Sequence, residues 1–179
     1  MLKCITLANN LDLFISQASV EDAEQIINFL NKVGGETDFL TFGLNEFPFS
    51  VTAEQEIITE ILSRNTGLML VAKINNEIVS QLFLQGSDKP RLAHVADVGI
   101  SVCKKYWGHS IGRYMMLAAM EWAKNNGFIK LQLWVRVDNE RAVQLYKSLG
   151  FVVEGTITQA IKIGKTYFDN YIMGLPLSK

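Results

Sequence analysis

The chain is poor in the residues that announce most chemistries. It has only two cysteines, Cys4 and Cys103, which form neither a disulfide framework nor a metal-ligand spacing. A reducing, cytoplasmic setting is therefore expected. The two histidines, His94 and His109, also stand alone, so no metal is expected. Charge of either sign is not in excess: 17 basic side chains face 18 acidic ones, for a formal net charge of −1. That balance gives no footprint for nucleic acid or for a membrane surface. No apolar run reaches the roughly 20 residues of a membrane-spanning helix, and no basic-then-apolar leader opens the chain. Repeats and low-complexity tracts are missing too. What is present is an ordinary globular balance, 49 % hydrophobic and 20 % charged. At 179 residues the whole chain, 1–179, is expected to be one domain.

Residues 1–11 carry weak signals, an extra strand or an arm. Residues 11–18 alternate as a strand does. Ser19 with Asp22 opens a capping box, and the helix after it runs to about Lys32 with Ala23, Ile26, Ile27 and Leu30 on its buried stripe. Gly34 and Gly35 end it. Residues 36–49 are irregular and aromatic, with Phe39, Phe42, Phe47 and Phe49 among acids. They suit either a pocket lid or a packed connector. Thr52 with Gln55 caps a second helix through about Arg64. Residues 67–74 and 78–85 form a hairpin around Asn75-Asn76. A strand follows at 131–137, then a helix capped by Asn139 and stopped at Gly150, then a hairpin, 151–158 and 167–175, around Gly164-Lys165.

Residues 94–112 are the stretch that carries chemistry. Val98, Ile100 and Val102 alternate with Asp97, Gly99 and Ser101, a strand pattern. The turn Trp107-Gly108-His109-Ser110-Ile111-Gly112 follows. Then Tyr114, Met115, Leu117, Ala118, Ala119 and Trp122 recur at helical spacing, to Lys124, with Gly127 just beyond. A strand, a small-residue turn and a helix start make an anion site. The first N–H groups of the helix lack intrahelical partners, and small residues let phosphate approach them. No Gly-Lys-Ser/Thr or GxGxxG pattern is present, so neither a P-loop nor a dinucleotide fold is indicated.

The spacing Trp107-x-x-Ser110-x-Gly112 instead resembles the Arg/Gln-x-x-Gly-x-Gly/Ala acyl-CoA loop of the GCN5-related N-acetyltransferases, the GNAT superfamily. Asn139-x-x-Ala142-x-x-Leu145-Tyr146-x-x-x-Gly150-Phe151 resembles the superfamily's pattern after its fifth strand. The resemblance is clearest from about Leu92 onward. Trp107 and Ser110 depart from the loop pattern, where an Arg or Gln and a Gly are usual. Serine is small and is able to cap a helix. The element order read from the residues gives a mixed α/β sheet with helices on both faces. The resemblance adds a mostly antiparallel GNAT fold, its sheet splayed at the centre, with acetyl-CoA as co-substrate lying in the gap.

The resemblance also implies roles. Tyr146 stands at the tyrosine that serves the leaving sulfur; the plainer reading is a helix tyrosine packed in the core. Asp97 is the candidate base; the plainer readings are a carboxylate satisfied within the sheet or one that binds a cationic substrate. Glu36, Glu46, Glu154 and Asp169 compete for that role. The backbones of Ile100, Val102 and Cys103 would meet pantetheine. Those of Gly108, His109, Ser110, Ile111, Gly112 and Arg113 would meet the pyrophosphate. Asn139 would bond the CoA arm, cap its helix, or both. Arg113 and His109 read equally as solvated turn residues, and Cys103 has no neighbouring base. The implied activity is acetyl transfer to the amine of a small molecule. Acetylation of protein N-termini and a non-catalytic acyl-CoA sensor are the alternatives, and a homodimer through the last hairpin is compatible.

Overall fold

The computed structural model describes residues 2–64 and 66–177. The strands are β1 (Leu2–Thr6), β2 (Asp12–Gln17), β3 (Gly67–Ile74), β4 (Glu77–Gly86), β5 (Val95–Val102), β6 (Lys130–Arg136), β7 (Val152–Ile163) and β8 (Thr166–Pro176). The helices are α1 (Ala23–Gly34), α2 (Val51–Ser63), α3 (Ile111–Asn125) and α4 (Glu140–Ser148). All eight strands make one sheet, ordered β1-β2-β3-β4-β5-β6-β8-β7. Every neighbouring pair is antiparallel except β5 with β6. The expected mixed, mostly antiparallel sheet is what forms.

The central strands explain the layering. In β3, Leu68, Leu70, Ala72 and Ile74 enter one core with α3, while Met69 and Val71 enter a second core with α1 and α2. Both faces are covered, so the strand is an unbroken apolar run rather than an alternating one. Asn75 and Asn76 turn the β3–β4 hairpin with φ of 49° and 65°, the left-handed values a two-residue primed turn requires.

Local differences from the sequence reading have physical causes. Ser19 donates its backbone N–H to the Asp22 carboxylate at 2.9 Å, as the capping box requires. A 3-10 turn over Val20–Asp22 comes between that box and α1. On α1 itself Phe29 and Val33 join Ile26 and Leu30 on the buried stripe, and Ile27 is only half-buried. Asp22 also accepts from Lys73 Nζ at 2.6 Å. Burial alone would raise its carboxyl, but the bonds from Lys73 and Ser19 outweigh burial and hold it below the usual range. In α2 the cap is Ser50, whose hydroxyl accepts from Ala53 N–H at 3.2 Å, so the helix starts ahead of Thr52.

The feature that positions the site is a parting of strands. β5 and β6 pair only at Val95–Lys130, Ala96–Leu131 and Asp97–Gln132. Beyond that rung β5 stays with β4 as far as Val102, and β6 stays with β8 as far as Arg136. The two arms form a V, opening toward the start of α3 and of α4.

Candidate active site

The V opens into a cleft of about 580 Å³. Ile100, Val102, Gly108, Ser110, Ile111, Gly112, Arg113, Asn139 and Tyr146 line it, which brings together most of the residues singled out from the sequence. Asp97, Cys103 and His109 are not among its lining residues.

The β5 arm presents its backbone to the gap with a definite parity. Cys103 donates its N–H to Val79 O at 2.9 Å, so the odd-numbered residues at this end of β5 bond to β4. The backbone groups of Ile100 and Val102 then face the gap. The expectation for Cys103 is corrected accordingly, because its amide is committed to the sheet. Its thiol is buried, pushed up by burial, and points at Glu36 at 3.5 Å, the opposite of a nucleophile's setting.

The turn before α3 is built from two left-handed residues. Gly108 has φ of +87° with nothing within 4 Å of where a Cβ would stand, which leaves open space beside the backbone. Ser110 has φ of +62° and makes no side-chain cap. Serine is able to cap a helix, but a side-chain cap needs extended backbone, and Ser110 fills a glycine-like conformation instead. The first α3 amides are thereby left facing the cleft. Gly112 lies where a Cβ would stand 3.2 Å from Leu145, which keeps α3 close to α4.

Trp107 sits at the lip of this turn. Its indole N–H donates to Val102 O at 2.8 Å, and the Arg141 guanidinium of α4 lies 5.2 Å from its ring centroid. His109 turns away, its Nδ1 3.3 Å from Trp107 O. Arg113 donates to the Ser148 hydroxyl at 3.1 Å.

Asn139 caps α4, its Oδ1 accepting from Ala142 N–H at 3.3 Å. Tyr146, two turns on, is buried with its ring 5.8 Å from that of Phe151. Its hydroxyl has no hydrogen-bond partner among the described residues. Burial pushes the phenol up to about 12, so it stays protonated and keeps an O–H to donate.

Asp97 stands on the last paired rung, its carboxylate accepting from Gln132 Nε2 at 2.8 Å. It lies on the face opposite Ala96 and Val98, both core residues beside α3. On that face two large rings are open to solvent: Phe83, 43 % exposed and covering Gly99, and Trp134, 52 % exposed on β6.

The loop 35–50 serves both readings given to it. Thr37, Phe39 and Leu40 line the cleft, while Phe42 and Phe47 pack on the α1/α2 core. Glu36 ties the loop down by accepting from Lys104 N–H at 2.7 Å. Arg136 was not singled out from the sequence. It is buried beneath the loop, between the rings of Phe39 (4.9 Å) and Phe168 (3.6 Å). It donates to Asp38 O at 2.8 Å and grips both oxygens of Asp138, whose carboxyl it holds below the usual range. Asn170, opposite Arg136 on β8, has a buried side-chain oxygen without a donor among the described residues.

A model of the Acetyltransferase (GNAT) family matches residues 37–151. The L-amino acid N-acetyltransferase AaaT of Escherichia coli (strain K12) is 33 % identical over 105 residues, 58 % of this chain and 65 % of that protein. The chain thus spans just under two-thirds of that relative's length. The crystal structure of a GNAT-family acetyltransferase from Streptococcus pneumoniae superposes with a TM-score of 0.89 at 30 % identity, covering 93 % of this chain and 99 % of the other. The yncA protein of Salmonella typhimurium, solved with its cofactor acetyl-CoA, shares the fold at a TM-score of 0.82 and 17 % identity, over 93 % and 95 % of the two chains.

Proposed function

The chain belongs to the GNAT acetyltransferase family, and from that premise we propose that it transfers an acetyl group from acetyl-CoA to the primary amine of a small molecule, by direct attack within a ternary complex. The observation that carries this reading is the parting of β5 and β6 beside an open, glycine-bearing helix start. Such a cleft suits CoA chemically. The Ile100 backbone groups and the Val102 N–H, whose carbonyl is taken by the Trp107 indole, match the amides of an extended arm, and the α3 amides match a diphosphate. Acetyl-CoA supplies the activated acyl group as a thioester; the chain supplies position and protons.

Asp97 takes the proton from the attacking amine. Its hydrogen-bond partner is a neutral amide rather than a cation, and it stands at the vertex of the V. As the C–N bond forms and the C–S bond breaks, the Tyr146 hydroxyl donates a hydrogen bond to the departing sulfur. Phe83 and Trp134 flank Asp97 on the open face and give the acceptor an apolar resting place. The unpaired Asn170 oxygen adds an acceptor for an N–H donor. Two copies would pack through the β7–β8 hairpin, which leaves Val152, Val153, Ile157 and Tyr167 exposed.

The test has two parts. Calorimetry with acetyl-CoA measures binding, and thiol release measures turnover on a panel of amines that begins with L-amino acids, the substrates in the Escherichia coli relative's name. Binding with turnover on a free amine is the expected result. Turnover confined to peptide N-termini would move the substrate to proteins. Tight binding without turnover on any amine would make the chain an acyl-CoA sensor.

A further inference from the structure

We propose that Arg141 binds a phosphate group of acetyl-CoA and is held ready for it on the face of Trp107. This rests on the acetyl-CoA reading above. Both residues line the cleft, from opposite sides: Trp107 from the β5 arm and its turn, Arg141 from the first turn of α4 on the β6 arm. The indole is fixed by its N–H bond to Val102 O, so the ring is a rigid platform. The guanidinium lies 5.2 Å from the ring centroid.

Stacking uses the face of a guanidinium and leaves its edge N–H groups free, and those are the groups that grip phosphate oxygens in pairs. The charge is also free. Among the described residues Arg141 makes no ion pair and donates no hydrogen bond to another side chain. The other cations near the cleft are differently placed. Arg136 is neutralised by Asp138 beneath the loop, and Arg113 donates to Ser148. Lys104 also approaches Trp107, at 5.9 Å, but is not among the residues lining the cleft. Arg141 is therefore a cation held over the Trp107 ring, with no acidic partner among the described residues, in the cleft where the acetyl-CoA reading puts the phosphates.

The experiment measures Kd by calorimetry for CoA and for dephospho-CoA, which lacks the 3′-phosphate, and steady-state kinetics with acetyl-CoA and with S-acetylpantetheine, which has no phosphate. The proteins are the wild type, Arg141→Gln and Trp107→Leu. For Arg141→Gln we expect CoA to bind about 10-fold more weakly, the acetyl-CoA KM to rise in step, and kcat to hold within about 2-fold. Trp107→Leu, which removes the platform and keeps the charge, should weaken CoA by about 3-fold. Equal weakening for CoA and dephospho-CoA assigns Arg141 to the diphosphate. Weakening for CoA alone assigns it to the 3′-phosphate. Both outcomes support phosphate recognition. Arg141→Gln binding CoA as the wild type does would overturn it. So would an equal loss of turnover on S-acetylpantetheine, since that reports a structural role. If the wild type itself gave no heat with CoA, the acetyl-CoA reading would fall first, and this inference with it.

Discussion

Replacing Tyr146 with phenylalanine isolates one hydroxyl. The ring keeps its place beside Phe151, so packing is preserved. The size of the effect follows from burial. The phenol sits at about 12, and a free thiol ionises near 8.5, so full proton transfer to the leaving thiolate is uphill by about 3.5 units, or about 5 kcal/mol. The hydroxyl therefore acts by hydrogen bonding to the charge that develops on sulfur. Such a bond contributes about 1.5–3 kcal/mol, so kcat should fall about 10- to 150-fold. Because the charge appears only in the transition state, the acetyl-CoA KM should stay within about 2-fold. The pH profile gives an independent check. The donor is lost only when the phenol ionises, and that lies near 12. Variant and wild type should then share one profile shape up to about pH 10, displaced by a constant factor. Thiol release at saturating amine, with thermal melting as a folding control, measures all of this. Full kcat in the variant would refute the role. A wild-type alkaline limb near pH 9 that vanishes in the variant would refute the argument from burial.

Asp97→Asn keeps the size of the side chain beside Gln132 and removes the base, so kcat should drop about 10²-fold with acetyl-CoA binding intact; retention of full activity would move the base off β5. Ser110→Gly relieves a left-handed residue, φ +62°, and should raise stability by about 0.5–1 kcal/mol, seen as an increase of about 2 °C in Tm. A lower Tm would show that the serine hydroxyl matters after all. Asp22 is held below its unfolded value, so its contribution is complete above about pH 4 and fades as acid protonates it. Asp22→Asn should cost about 1–3 kcal/mol in urea unfolding at pH 7, and the gap to wild type should narrow by pH 3. A gap that does not narrow would rule out the Lys73 bond as its source.

What was legible in the sequence was local. The 94–112 stretch gave strand, turn and helix because alternation, glycine placement and helical spacing all lie within a few residues of one another. The hairpin at Asn75-Asn76 was equally plain. Misreadings arose where one residue type serves two conformations. Ser110 is a common cap and also tolerates a glycine-like turn, and only the path of the chain past Gly108 decides between them. Thr52 read as the cap of the second helix, but Ser50, two residues earlier, takes that role. Phe29 and Val33, rather than Ile27, complete the buried stripe of α1, three residues on from Ile26 and Leu30. Pairings made by sheet order left no trace in the sequence. Asp97 meets Gln132, Trp107 meets Arg141 and Glu36 meets Lys104 across separations of 35, 34 and 68 positions. Arg136 escaped notice because its partners Phe39 and Asp38 lie nearly a hundred positions away.

The V has a consequence for how the molecule endures as well as for what it binds. With β5 and β6 joined at only three positions, the sheet behaves as two blocks sharing a short seam, one of five strands and one of three. A ligand lodged along that seam mends it, and whatever binds only the folded chain adds to its lifetime. At a concentration a hundredfold above Kd the gain is about 2.7 kcal/mol, a sizeable share of an ordinary domain's stability. On the acetyl-CoA reading, persistence of the protein would in this way be tied to the supply of its own acyl donor.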